Sequence, residues 1–125
     1  NLEDLHIRNN PHIYNINHLT KLKILNASGK HCGLDNNGIA FLINLEDLHI
    51  RNNPHIYNIN HLTKLKILNA SGKHCGLDNN GIRDLIQLRQ ISANCNDKIT
   101  KVNELNKSNC LNFDYFGSDS ESDDI

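Results

Sequence analysis

The side chains in this chain that are able to do chemistry are eight histidines, four cysteines and some adjacent acids, and two groupings occur twice. His31-Cys32 and His74-Cys75 set an imidazole beside a thiol, and Glu3-Asp4 and Glu46-Asp47 set two carboxylates side by side. Zinc would need its ligands within about 2.0–2.3 Å of one ion. A thiol nucleophile would need a base within reach and a third group to orient it. Neighbours on an extended chain point to opposite sides, so adjacency alone brings neither pair together. There is no C-x-x-C spacing, no glycine-rich phosphate loop and no paired-carboxylate motif. These residues therefore lead to the expectation of a chain that is not an enzyme, with no catalytic residues, no metal and no cofactor.

What positions these groups is an internal repeat, the first thing to seek in any sequence. Residues 1–43 and 44–86 are the same block, differing only where Ala40/Phe41 becomes Arg83/Asp84, so the chain contains a tandem duplication. Each block divides again. Leu2, Leu5 and Ile7 give L-x-x-L-x-I followed by Asn10, and Leu22, Leu25 and Ala27 give L-x-x-L-x-A followed by Cys32 and Leu34. The second block repeats both. Leu88, Ile91 and Ala93 open a fifth unit with Asn96 and Ile99, and a degenerate sixth lies near residue 108, with Leu111 and Phe113. Units starting at 2, 22, 45, 65 and 88 are 20 or 23 residues long.

This pattern resembles the leucine-rich repeat, whose units run to about 20–29 residues. The longer unit, Cys32-Gly33-Leu34-Asp35-Asn36-Asn37-Gly38-Ile39-x-x-Leu42, is similar to the cysteine-containing type of F-box substrate receptors. Its alternation with an N-N-P-x-I unit resembles the leucine-rich-repeat and F-box-like proteins of giant DNA viruses. The resemblance implies an α/β solenoid over residues 1–116, with a parallel concave sheet and short helical or 3₁₀ convex segments. No F-box segment is present.

Strand and turn geometry lead to the same architecture. Short strands about 4.8 Å apart would pair in parallel, with Leu5 and Ile7 inward and His6 and Arg8 outward. Ile13, Ile16 and Leu19, spaced by threes, fit an extended or 3₁₀-like return. Asp35 to Gly38, followed by Ile39, Leu42 and Ile43, fits a capped helical turn. Asn10, Asn53 and Asn96 would turn inward as a ladder satisfying backbone groups at the bend. Cys32 and Cys75 would fill the same slot in the longer units as small buried thiols. These two cysteines recur two coils apart, roughly 10 Å, which is too far to share a metal. The cysteines follow the repeat and do not pair within it, so disulfides are not expected as the framework, and a reducing compartment is expected, cytosol or nucleus, with the cytoplasm preferred.

Composition narrows the class. Aromatics make up 5% and Trp and Met are absent, which suits many small aliphatic contacts in stacked layers. Net charge is −1, but Asp119, Glu121, Asp123 and Asp124 crowd the tail, leaving 13 bases against 10 acids elsewhere. That excess is too small for a nucleic-acid footprint. No stretch approaches the roughly 20 apolar residues of a membrane span. The chain opens at Asn1 inside a repeat, from which a preceding segment is expected. Phe113, Tyr115 and Phe116 are expected to close the last coil. Residues 117–125 read as an acidic disordered tail in which Ser118 and Ser120, each with an acid three residues on, resemble acidophilic kinase sites.

Function is expected on the outward strand positions. Asp4, Ile24, Asp47, Ile67 and Gln90 form one stripe; His6, Asn26, His49, Asn69 and Ser92 form the next; Arg8, Ser28, Arg51, Ser71 and Asn94 form a third. Ile24 and Ile67 are apolar at positions that should face water and could anchor a contact. Phe41 is a lesser case on the convex side. The bland alternative is a solvated face. Asn26-Ala-Ser28, Asn69-Ala-Ser71 and Asn106-Lys-Ser108 match the glycosylation sequon, and a glycan on Asn26 or Asn69 would block this face. The expectation is a monomer that binds a protein or peptide on its concave face, with no nucleic-acid or membrane partner. Two rivals are the substrate-holding part of a ubiquitin-ligase adaptor and a passive amplified array.

Overall fold

The computed structural model describes residues 2–100. The expected sixth unit, aromatic closure, tail phosphosites and third sequon lie outside them. Five short strands, β1 (Asp4–His6), β2 (Ile24–Asn26), β3 (Asp47–His49), β4 (Ile67–Asn69) and β5 (Gln90–Ser92), form one parallel sheet in chain order. They start at the same point of each expected unit. Leu5, Leu25, Leu48, Leu68 and Ile91 pair directly along the sheet. The three central ones are fully buried, while Leu5 and Ile91 at the ends are only partly so. No coil encloses its own apolar side chains, so each is covered by its neighbours.

The two kinds of coil return differently. In the longer one a 3₁₀ turn spans Asn37–Ile39, repeated at Asn80–Ile82. Asp35 Oδ1 caps it by accepting from Gly38 N–H at 2.9 Å, and Asp78 does the same for Gly81. The turn is pressed against the coil before it. A Cβ on Gly38 would run into the Tyr14 carbonyl, and Ile16 N–H donates to Gly38 O at 3.0 Å. The shorter coil has no 3₁₀ turn; Ile56, Ile59 and Leu62 instead insert from an extended segment and are fully buried.

Asparagine holds the coils together. Asn17 grips the next coil's 3₁₀ turn at both ends, donating to Asn37 O at 2.8 Å and accepting from Phe41 N–H at 2.8 Å. Asn60 repeats the grip on Asn80 and Asp84. Asn36 Oδ1 then reaches forward to Tyr57 N–H at 2.9 Å, joining one block to the next. The expected ladder is present at Asn53 and Asn96, both fully buried. Asn53 donates to Ala27 O at 2.9 Å and Leu34 O at 3.4 Å and accepts from His55 N–H at 2.8 Å. The Asn10 side chain, in the first described coil, accepts locally from His12 N–H at 2.9 Å and shows no inter-coil bond among the described residues.

Cys32 takes the same slot. Its Sγ lies 3.8 Å from Ile7 O, the carbonyl in the preceding coil that corresponds to Ala27 O for Asn53. Cys32 follows Ala27 by five positions where Asn10 follows Ile7 by three, so the longer coil turns inward two residues later. A left-handed residue makes the bend in every coil: Asn9 (φ 56°), Gly29 (102°), Asn52 (60°), Gly72 (97°) and Cys95 (65°). Glycine is required at 29 and 72, because a Cβ there would strike Asn9 or Asn52 Oδ1, each of which accepts from the N–H of His31 or His74.

Candidate functional site on the sheet face

The outward rows are built by strand register. Asp4, Ile24, Asp47, Ile67 and Gln90 are directly paired, and so are His6, Asn26, His49, Asn69 and Ser92. Arg8 and Arg51 stand just past β1 and β3. Side chains two apart on a strand share a face, and within β1 and β3 they meet: His6 Nε2 lies 2.8 Å from Asp4 Oδ1, and His49 Nε2 lies 2.8 Å from Asp47 Oδ1. The first pair is 65% and 53% exposed and the second 36% and 25%, since β3 has a strand on either side.

Two members of the third stripe differ from their expected outward placement. Ser28 and Ser71 are buried. Their hydroxyls accept from Arg51 N–H at 3.2 Å and Asn94 N–H at 3.1 Å, so they bond one coil to the next and do not face a partner. Asn26 and Asn69 are half-buried, each turning the chain by accepting its own Ser28 or Ser71 N–H at 3.1 Å. In the folded chain both sequons are thus occupied by structural hydrogen bonds.

A further row flanks the first. Glu3, Lys23, Glu46, Lys66 and Arg89 follow one another through backbone N–H to carbonyl bonds of 2.8–2.9 Å between coils. Acid and base alternate over its first four members, although Glu3 and Glu46 taken singly resemble solvated strand edges. The signal was available in the 20- and 23-residue offsets. Glu3, Asp4, Lys23, Ile24, Glu46, Asp47, Lys66 and Ile67 line a shallow groove of about 470 Å³. Ile24 and Ile67, expected to face water, are half-buried in it. Its floor is the paired row Asp4, Ile24, Asp47 and Ile67, in which carboxylates and isoleucines alternate, and the Glu3–Lys23–Glu46–Lys66 row runs along one side.

The thiols are not part of this face. Cys32 and Cys75 are free and buried. Burial pushes both thiols up, Cys75 to about 11, against opposing backbone hydrogen bonds at Leu34 and Leu77. A protonated thiol is a poor nucleophile. Cys95, by contrast, is disulfide-bonded, while the repeat cysteines Cys32 and Cys75 are free. Among the described residues no three His, Cys, Asp or Glu side chains gather as metal ligands would. No helix among them is long and apolar enough to cross a membrane.

Against solved structures, the chain is similar to an internalin of Listeria monocytogenes, with a TM-score of 0.58 at 23% identity over 88% of this chain. The fold is a leucine-rich-repeat solenoid. The chain spans 33% of the internalin's length. No family model matches this solenoid, and no curated protein matches it by sequence. The likeness thus bears on the coil architecture, and the charged groove is a feature of this solenoid's own residues.

Proposed function

We propose that this solenoid is a protein-interaction module that holds a polypeptide partner along the groove of its concave sheet face. The observation that carries the reading is the pair of half-buried isoleucines, Ile24 and Ile67, which alternate with Asp4 and Asp47 beside a row of alternating charge. An apolar centre with a polar rim is the anatomy of a binding patch, and the stacked coils make that patch continuous. Asp4 and Asp47 supply charge beside the isoleucines, His6 and His49 stand 2.8 Å from those carboxylates, and Arg8, Arg51, Gln90 and Ser92 lie on the neighbouring positions. Asn26 and Asn69 support it through the backbone.

The test is a pull-down from cytosolic extract comparing the wild-type chain with an Asp47→Lys, Arg51→Glu variant of matched circular dichroism. Loss of a specific protein from the variant is expected. The same set of proteins from both would place binding elsewhere and end the reading.

A further inference from the structure

The groove has a period, and the period restricts what can fill it. This step rests on the concave-face reading above. One coil presents two acids, Glu3 and Asp4; the next presents Lys23 and Ile24; the pattern then recurs at Glu46 and Asp47, and at Lys66 and Ile67. Neighbouring strands lie about 4.8 Å apart, so like groups recur after about 9.6 Å.

Regular polypeptides match that distance unequally. A β-strand returns to one face every second residue, about 6.6–6.8 Å, and its third residue, though about 10 Å away, points to the opposite face. An α-helix returns after seven residues, about 10.5 Å, but is about 10–12 Å wide. The Asp and His rows beneath it stand only about 6.6 Å apart, two residues along a strand. A polyproline-II segment has three residues per turn at about 3.1 Å each, so every third residue returns to one face after about 9.3 Å.

We infer that the groove takes a polyproline-II segment with a Lys or Arg at every third position. Its cations meet Asp4 and Asp47, an intervening apolar residue rests on Ile24 and Ile67, and the remaining residue of each turn faces solvent. His6 Nε2 and His49 Nε2 each lie 2.8 Å from their aspartate's Oδ1, so the Asp–His pair recurs with the same spacing. Lys23 and Lys66 supply the selection: a contiguous run of cations would place charge against them, whereas a cation at every third residue passes over them. The alternating charge thus favours spacing over total charge, a form of discrimination by repulsion.

Fluorescence anisotropy on the full chain tests this with two labelled twelve-residue peptides of one composition, four Lys-Pro-Pro repeats and an isomer with its four lysines contiguous. The repeat peptide is expected to bind about tenfold tighter, the scale of two exposed ion pairs gained and two repulsions avoided. An Asp4→Asn, Asp47→Asn variant, near-isosteric at partly exposed positions, is expected to lose that preference. Equal binding of the two peptides, no binding of the repeat peptide, or an unchanged preference in the variant would overturn the inference. Should a protein still be lost in the Asp47→Lys, Arg51→Glu pull-down while the peptides bind alike, the groove stands as an interaction site and only the polyproline-II occupant falls.

Discussion

Replacing Asn53 by alanine is expected to cost about 3 kcal/mol of stability, and the same change at Asn10 about 1 kcal/mol or less, counting about 1 kcal/mol net per hydrogen bond. The duplication makes this an internally controlled experiment, because both residues sit in the same N-N-P-H-I-Y-N sequence. Asn53 is fully buried and satisfies the carbonyls of Ala27 and Leu34 and the N–H of His55. Truncation removes three hydrogen bonds and leaves buried groups without partners, although the 3.4 Å bond to Leu34 O is the weakest of the three. Asn10 is half-buried and gives up one local bond. Urea unfolding followed by far-ultraviolet circular dichroism reads the difference as a shift in midpoint at constant slope. Equal losses within about 0.5 kcal/mol, a resolution typical of such comparisons, would refute the argument that inter-coil carbonyl bonding, and not local sequence, makes the ladder stabilising.

Gly72→Ala should destabilise by about 2 kcal/mol, since it forces a left-handed residue and drives a Cβ into Asn52 Oδ1; the same unfolding assay checks it. The Cys75 thiol should resist iodoacetamide at pH 8 while the chain is folded and react once it is unfolded, read by mass spectrometry. Its raised value also sets a sign: the neutral thiol is favoured in the fold, so its contribution is fully present below its ordinary 9.0 and is lost as pH rises toward about 11.

The strand rows could be read because a two-residue alternation and a repeated leucine need only counting. The Asn53–Asn96 ladder and the Cys32 slot could be read for the same reason, each recurring at a fixed offset in a hydrophobic frame. Ser28 and Ser71 could not. They alternate outward like their neighbours, but the N–H they accept from is 23 residues away on the next coil, and only stacking reveals it. Most asparagines were likewise invisible as structure. Asn17 and Asn60 look like ordinary turn residues, yet their amides fasten the 3₁₀ turns of the following coil. The groove was half legible. The isoleucines were noticed, while the Glu3–Lys23–Glu46–Lys66 row was overlooked because each charge alone resembles a solvated residue. Exposure of Ile24 and Ile67 was overestimated, since a half-buried position depends on the length of side chains one coil away.

The junction from β2 to β3 has a consequence for inheritance. Asn36 of one block fastens Tyr57 of the next, and the strands pair across the boundary in unbroken register. A recombination event that inserts or deletes one 43-residue block would therefore create no unfamiliar interface, because every added block meets its neighbour through contacts already in use. Copy number would act as a length adjustment: each gain would move the next aspartate about 10 Å further along the same face, and each loss would shorten the surface without altering its spacing. Selection could then tune reach in whole steps while leaving local chemistry untouched.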